Sequence, residues 1–281
     1  MMIRKAVFVW RFGRIFICIL LFRGDSKAPM GEMVERGIAL GLGQMCFTEH
    51  MDFDFPVSEE IPKGFFEVNT DAYLYELLRC RAVYGDRIKL CFGVELGLQA
   101  YLAEVQEGYV NSFPFDFIIG SSHLCNGKDP YDAGFFAGRS EEAAYREYFE
   151  SIIDNLEVFH DFDIYGHLDY VVRYGPDQDK FYTYEKYRDL FERMLELLLE
   201  NGIGVEVNTG GIGYGLKEPH PCREVLKRYR ELGGEIVTVG SDAHRPADIC
   251  REFKRAEEFL RDCGFSYYTV FDKRTASFIK L

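Results

Sequence analysis

The residues best suited to chemistry in this sequence are histidines and carboxylates that end or follow short apolar runs. The chain has six histidines, and four of them occupy such positions. Imidazole and carboxylate together form the ligand set of zinc, iron and manganese, and one carboxylate can bridge two ions. A single histidine after a strand is usually structural, so the prediction of a metal site rests on the whole group. Its members are His50, Glu95, His123, His167, Asp242 and His244.

The spacing of Asp242 and His244 adds a geometric argument. They lie two positions apart in Ser-Asp-Ala-His, so they would point to the same face if the preceding strand continued through them. Two metal ions about 3.5 to 4 Å apart activate a shared water and hold the attacking and leaving oxygens of a phosphate ester. The pattern indicates hydrolysis of phosphomonoesters. We predict Asp242 and His244 as catalytic candidates that deliver a proton to the leaving alkoxide or orient the water molecule that delivers it.

The elements that must position these residues alternate along the chain as short apolar runs and longer helical patterns. Repeated βα units predict a parallel sheet, and in barrel enzymes the C-terminal ends of the strands converge on one mouth. The predicted strands are MCF, IKLCFGVE, FDFIIGSSH, IYGHLDYV, GIGVEVNTGG and EIVTVGSDAH. Helices are predicted from near Pro29 and over 70–85, 141–159, 184–200, 222–233 and 246–263.

Composition favours one globular domain over residues 1–281 and limits the partners. The formal net charge of −13 disfavours binding to nucleic acid, whereas acidic ligands attract divalent cations. The eight cysteines are scattered, without CxxC spacing, and several lie in apolar runs. We expect reduced thiols in a cytoplasmic enzyme that acts on a small phosphorylated substrate.

The first 22 residues are atypical, because basic residues precede an apolar stretch as they do in a signal peptide or a membrane anchor. Arg11 and Arg14 interrupt this stretch and leave the uninterrupted apolar run Ile15 to Phe22. A membrane-spanning helix needs roughly 20 apolar residues. No small-residue cleavage site follows, so we favour neither a signal peptide nor an anchor.

Six motifs resemble, in order, those of the polymerase and histidinol phosphatase (PHP) superfamily: TEH, GVE, GSSH, GHLDYV, EVNTGG and SDAH, over residues 46 to 245. The resemblance implies a distorted (β/α)7 TIM-like barrel with two or three divalent ions, zinc, manganese or iron. By motif, it makes the six residues above metal ligands and adds Asp25 of GDS. The stretch GSSHLCNGKDPYD and the pairing of GHLDYVVRYG with EVNTGG resemble the histidinol-phosphate phosphatase branch, which implies a role in histidine biosynthesis.

Arginines are the candidates for binding the substrate phosphate, because guanidinium donors match phosphate oxygens. We select Arg173, six residues after His167, and Arg245, next to His244; the alternative is that both are ordinary surface arginines. Many relatives of this type place an arginine in the loop after NTGG, whereas this loop reads Ile212-Gly213-Tyr214-Gly215. His160 and His220 match no ligand motif and are interpreted as structural or as part of the substrate rim.

The largest departure from the family is its first motif, Asp-x-His-x-His. This chain has Arg14-Ile15-Phe16-Ile17-Cys18-Ile19-Leu20 instead, so one metal position would lose two imidazole donors. We hypothesise a local reading-frame shift. Codon degeneracy permits CGG-ATC-TTC-ATT-TGC-ATT-CTC for this segment, and these codons, read two bases later, would encode Asp-Leu-His-Leu-His-Ser. The nucleotide sequence decides: codons that do not give GAT, CAT and CAT in the shifted frame would remove the hypothesis.

The favoured function is hydrolysis of L-histidinol phosphate to L-histidinol and phosphate. A second reading is a PHP phosphoesterase that acts on another small phosphate ester, which the same metal site would allow. A third reading is a degenerate barrel that binds metal without turnover. It is supported by the absent histidine pair and by the altered loop after NTGG.

Overall fold

A computed structural model describes residues 28–281. Eight strands are present in this part of the chain: β1 (Gln44–Met51), β2 (Lys89–Gly97), β3 (Phe117–Ser121), β4 (Ile164–Tyr165), β5 (Gly204–Asn208), β6 (Val237–Gly240), β7 (Tyr267–Asp272) and β8 (Thr275–Lys280). The α-helices of this part are α1 (Met30–Ala39), α2 (Thr70–Tyr84), α3 (Ala103–Val110), α4 (Glu141–Val158), α5 (Arg188–Glu200), α6 (Gly210–Gly213), α7 (Arg223–Glu231) and α8 (Phe253–Asp262).

The strands β1 to β6 form one parallel sheet in sequential order, as in the wall of a βα barrel. All six predicted strands are present, and β1, β3, β5 and β6 are buried almost throughout, as expected of strands covered on both faces. The register pairs His50 of β1 with Glu95 of β2, so two predicted ligands lie side by side. The predicted α/β barrel-type organisation is confirmed. The apolar run Ile15 to Phe22 lies outside the described residues.

Two of the predicted helices are shorter than their hydrophobic pattern indicated. The segment 184–200 begins with a 3-10 turn, Tyr184–Tyr187, before α5 starts at Arg188. In 246–263, the 3-10 turn Pro246–Asp248 and α8 are separated by left-handed backbone at Cys250 and Glu252, with φ of 61° and 58°. Left-handed residues interrupt the helical hydrogen bonds, so the continuous helix predicted over 246–263 is wrong.

The antiparallel hairpin β7–β8 covers the end of the sheet at which the parallel strands begin. The Gln44 side chain, at the start of β1, donates to the Phe271 carbonyl at 3.0 Å. Arg274 of the hairpin turn donates through Nε to Asp163, just before β4, at 2.8 Å. The opposite end of the sheet, where the strands finish, carries the candidate site. Within residues 28–281, no helix has the length and apolar character needed to cross a membrane.

Candidate metal centre

The Glu95 carboxylate lies at the centre of the predicted ligands. Its Oε1 atom is 2.9 Å from His167 Nε2 and 3.2 Å from His123 Nε2, and it accepts a hydrogen bond from Ser121 Oγ at 2.8 Å. Ligand atoms of His50, Glu95 and His123 all lie within 4.8 Å of one another. Residues from β1, β2 and the segments after β3 and β4 thus meet at one point. Two or more imidazoles around a buried carboxylate fit a transition-metal ion.

Asp52 holds two of these imidazoles and was not predicted from the sequence. Its Oδ2 is 3.0 Å from His50 Nδ1, and its Oδ1 is 2.7 Å from His123 Nδ1. When either ring is neutral, a carboxylate beside Nδ1 favours the proton on Nδ1 and leaves the lone pair on Nε2. A carboxylate behind a histidine in this way orients the ring for a metal ion. The sequence feature that could have identified Asp52 is its position as an acidic residue two positions after His50.

The position of Asp52 depends on a glycine in the neighbouring strand. A Cβ atom on Gly97, the last residue of β2, would lie 1.9 Å from Asp52 Oδ1. Only glycine therefore lets the carboxylate lie against the end of β2. The pKa of Asp52 is governed first by burial, which raises it, but the charge of His123 and the hydrogen bonds from both histidines lower it to about 2.

The neighbouring charges also set the protonation of the histidines. Burial lowers the pKa of His167 to about 4, although the Glu95 carboxylate opposes this shift. The neutral ring that results is the form that binds metal ions. For His123, burial also lowers the pKa, but Asp52 and Glu95 outweigh burial and raise it well above its usual value. The two rings share Glu95, but only His123 has a second carboxylate beside it.

His167 adopts left-handed backbone, with φ of 25°, just after β4. Its backbone N–H donates to Glu206 Oε2 at 3.2 Å, and the Asn208 side chain donates to the same oxygen at 3.0 Å. The two polar residues of β5 therefore help to hold the His167 backbone in an otherwise unfavourable conformation. The Nδ1 atom of His167 is buried and has no hydrogen-bond partner among the described residues.

Asp242 and His244 follow β6, but they do not continue its geometry. The strand ends at Gly240, and Asp242 has a φ of 50°. The expectation that the strand continues through these two residues and points their side chains to the same face is therefore wrong. The chain instead turns, and His244 Nδ1 lies 2.9 Å from the Asp242 carbonyl oxygen. Burial raises the pKa of Asp242, but His244 and Arg173 outweigh it and lower that pKa, with Glu95 opposing them.

Arg173 is a buried cation in an aromatic cage. Its side chain is 2% exposed, and its Nη1 lies 3.5 Å from Asp242 Oδ2. The guanidinium carbon is 4.2 Å from the ring centroid of Tyr170, 4.7 Å from that of Tyr214 and 5.6 Å from that of Tyr174. Arg173 Nε has no hydrogen-bond partner among the described residues. A buried, charged and incompletely paired guanidinium is a strong recognition element for an anion.

Arg245, the other predicted phosphate-binding residue, has a side chain that is 74% exposed and lies 3.0 Å from Asp248. The altered loop after NTGG has an arginine beside it in space. A Cβ atom on Gly213 would lie 3.2 Å from Nη1 of Arg251, which comes from the segment before α8. A guanidinium therefore lies next to this loop, although it comes from another part of the chain.

Two of the metal-ligand candidates, His50 and His123, line a cavity of about 340 Å³. Its polar wall includes His50, Asp52, His123 and Asp129, and its other wall is aromatic and aliphatic: Phe55, Ile61, Phe66, Tyr131, Tyr170, Tyr174 and Tyr214. The size and the mostly apolar lining with a few convergent polar groups are typical of a site for a small ligand.

Four of the remaining sequence predictions concern residues away from this cluster or outside the described region. Asp25 and the segment Arg14 to Leu20 lie outside the described residues. His160 contacts the Leu156 carbonyl one turn earlier in the chain. His220 is buried, and its Nδ1 lies 2.5 Å from Asp169, which also accepts a hydrogen bond from Cys222 N at 2.9 Å.

Comparison with known proteins finds one family and several close relatives. The model of the PHP domain family matches residues 21–210. Histidinol-phosphatase of Lactococcus lactis is 31% identical over 251 residues, which are 89% of this chain and 91% of that protein. A probable histidinol-phosphatase of Clostridium acetobutylicum is 31% identical over 257 residues, 90% of this chain and 94% of that protein.

A solved structure is similar over nearly the whole chain. It is the histidinol phosphate phosphatase of Lactococcus lactis, in complex with zinc, L-histidinol and phosphate. The two folds superpose with a TM-score of 0.81 at 28% identity, over 95% of this chain and 99% of the other. The similarity confirms the predicted distorted TIM-like barrel.

Proposed function

This chain belongs to the PHP domain family, and we propose that it hydrolyses L-histidinol phosphate to L-histidinol and phosphate, a step of histidine biosynthesis. The observation that carries the proposal is a histidine–carboxylate cluster beside one small cavity, with the buried Arg173 enclosed behind the tyrosines that line this cavity. This arrangement occurs in a chain that is 31% identical to histidinol-phosphatase of Lactococcus lactis over 251 residues.

The donor set fits divalent metal ions, because imidazoles surround one buried carboxylate. We assign the ligand role to His50, Glu95, His123, His167, Asp242 and His244, with Asp25 retained from the motif. Zinc, manganese or iron bound there would act as a Lewis acid on the phosphate oxygens and lower the pKa of a water molecule. Asp52 keeps the Nε2 atoms of His50 and His123 available for this purpose.

Arg173 is the residue that we assign to binding the phosphate. Its guanidinium is held among three tyrosine rings, so its orientation is fixed before the substrate arrives. Burial lowers the pKa of Arg173, but the nearby tyrosines and Asp242 outweigh this effect and raise it, so the side chain stays charged. It can donate N–H groups to two phosphate oxygens and stabilise the charge that develops there during hydrolysis. Arg245 stays a candidate for the rim.

The leaving alkoxide needs a proton, and the turn that carries Asp242 and His244 is our candidate source. The carbonyl oxygen of Asp242 can only accept, so the proton on the His244 ring lies on Nδ1 and its lone pair lies on Nε2. When the ring is neutral, Nε2 can bind a metal ion or take a proton. Protonation of Nε2 would let His244 donate to the leaving oxygen.

The proposal includes a cytoplasmic location and a small-molecule substrate. Seven cysteines of the described region are free thiols, which suits a reducing compartment: Cys46, Cys80, Cys91, Cys125, Cys222, Cys250 and Cys263. The net charge of −13 disfavours nucleic acid as a substrate.

Complementation tests this function in cells. The full chain is expressed in a strain that lacks histidinol phosphatase, with a His123→Ala variant as the inactive control. We expect growth without histidine for the full chain but not for the variant. Release of phosphate from other esters, without growth, would favour another PHP phosphoesterase, and absence of turnover with any metal would favour a degenerate barrel.

A further inference from the structure

The Asp129 carboxylate lines the same cavity as His50 and His123 but belongs to none of the groups assigned so far. It is half-buried in the loop after β3 and shares the cavity wall with Phe55, Phe66 and Tyr131. The charge of His123 lowers the pKa of Asp129, and the negative charge of Asp129 raises the pKa of the Tyr170 and Tyr174 phenols. The carboxylate therefore lies close to the cavity contents.

Asp129 has a fixed orientation but lacks a cationic partner. Its Oδ1 accepts a hydrogen bond from the backbone N–H of Tyr131 at 2.8 Å, which closes a tight turn. None of the ion pairs within residues 28–281 includes Asp129. Burial is the largest effect on the pKa of Asp129 and raises that pKa. A carboxylate that is partly removed from water and makes no ion pair gains most when a ligand supplies a cation in direct contact.

Asp52, the other acidic residue of this cavity, is already engaged. Both of its oxygens contact histidine Nδ1 atoms, at 2.7 Å and 3.0 Å. Asp129 is therefore the carboxylate of the cavity that remains available to a cationic group of a ligand.

Two opposite charges lie at separate places, the Asp129 carboxylate in the lining of the cavity and the Arg173 guanidinium behind that lining. Arg173 stands behind Tyr170, Tyr174 and Tyr214, and the Tyr131 ring meets Tyr174 edge to face with centroids 5.6 Å apart. Asp129 lies two residues before Tyr131 in the chain, and both residues line the cavity. A ligand with a phosphate at one end and a cation at the other would satisfy both charges.

The aromatic part of the wall provides a surface for a flat ring. Phe55 and Phe66 contact each other with centroids 4.5 Å apart, and Phe66 meets His50 edge to face at 5.8 Å. This wall therefore extends from the loop after β1 to the metal-ligand candidates. L-Histidinol phosphate carries an imidazole, a protonated amine and a phosphate on a short aliphatic chain.

We propose that the Asp129 carboxylate binds the protonated amine of the substrate and selects amino-alcohol phosphates over phosphate esters that lack a cation. This inference rests on the proposed function and adds a specificity-determining residue to it. The imidazole of the substrate then lies against Phe55 and Phe66, and the phosphate reaches Arg173. The contact with the amine is a charge-assisted hydrogen bond.

Binding of the reaction product tests the inference without a need for turnover. The full chain, loaded with zinc, is titrated by calorimetry with L-histidinol and with 3-(imidazol-4-yl)propan-1-ol, which lacks the amine. The variant is Asp129→Asn, which keeps an oxygen for the Tyr131 N–H and so preserves the turn. The matched control is Asp132→Asn, an exposed carboxylate of the same loop that accepts from Gly134 N at 2.8 Å.

We expect D129N to weaken the binding of L-histidinol by about 10- to 100-fold and to leave the binding of the amine-free alcohol unchanged. D132N should change neither. The charge-retaining variant Asp129→Glu should keep a preference for the amine, which a purely structural role would not predict.

Two other outcomes are distinguishable. If the wild-type chain prefers L-histidinol to the amine-free alcohol and D129N keeps that preference in full, the inference is overturned and the proposed function stands. If the wild-type chain binds neither L-histidinol nor L-histidinol phosphate, the proposed function fails, and the inference fails with it.

Discussion

Replacement of Asp52 by asparagine should destabilise the metal-free protein by an amount that depends on pH. The carboxylate contacts His50 Nδ1 at 3.0 Å and His123 Nδ1 at 2.7 Å, and its pKa is lowered from 3.8 to about 2. One pKa unit corresponds to ~1.36 kcal/mol, so the charged form contributes about 2 kcal/mol to the free energy of unfolding. Because the folded-state pKa is the lower one, this stabilisation is fully present above pH 4. It is lost as the pH falls from 4 towards 2.

Urea unfolding of the chelator-treated protein measures this contribution. At pH 7, Asp52→Asn should be less stable than the wild type by about 2 kcal/mol, and the difference should shrink as the pH falls below 4. The control is Asp86→Asn in the exposed turn after α2, which should change the free energy of unfolding by less than about 0.5 kcal/mol at every pH. Equal pH dependence in the Asp52 variant and the wild type would refute the reasoning.

The same variant should bind zinc about 10- to 100-fold more weakly, because the amide no longer holds both imidazoles with the proton on Nδ1. Competition with a chromophoric chelator measures this affinity. Unchanged zinc affinity would mean that Asp52 does not orient the two rings for a metal ion.

Three further predictions concern the phosphate site and the metal ions. Arg173→Lys should lower kcat/KM for L-histidinol phosphate by about 10- to 100-fold, because lysine keeps the charge but loses one phosphate hydrogen bond; Arg193→Lys on the surface of α5 should leave steady-state kinetics unchanged. The combined variant Arg14→Asp, Phe16→His, Cys18→His should raise zinc affinity, measured by chelator competition, by about tenfold or more, and no gain would count against the reading-frame hypothesis. Removal of metal by a chelator should abolish phosphate release, and added zinc or manganese should restore it; activity that survives chelation would exclude the proposed metal site.

The sequence predicted which end of the sheet would carry the site, because residues at the ends of parallel strands are recognisable from the hydrophobic runs before them. His50, Glu95 and His123 were selected in this way, and they lie together. Their convergence follows from the register of β1 with β2 and of β2 with β3, which places successive strand ends side by side.

The carboxylates of the loops were not predicted, because their positions depend on contacts that are distant in the sequence. Asp52 reaches two histidines only because Gly97, on the next strand, leaves room for it. Asp129 enters the cavity through a turn closed by Tyr131 N, and the sequence contains 46 acidic residues from which to choose. Hydrophobic periodicity carries no information about such loop conformations.

The environment of Arg173 was only partly predictable. Its position six residues after His167 indicated a place near the site, but its burial depends on Tyr214, which comes from the loop after β5. The turn at Asp242 was predicted as continued strand, and the left-handed backbone there shows why the alternation rule failed.

Phosphate release from L-histidinol phosphate by the purified, zinc-loaded chain tests the central claim most directly. The chain as written and the Arg14→Asp, Phe16→His, Cys18→His variant are both assayed, with p-nitrophenyl phosphate as the reference ester and Glu95→Gln as the inactive control. We predict that L-histidinol phosphate is hydrolysed with a higher kcat/KM than the reference ester, and faster by the variant than by the chain as written. Folded, zinc-loaded protein that releases no more phosphate from L-histidinol phosphate than Glu95→Gln does, in both forms, would contradict the account.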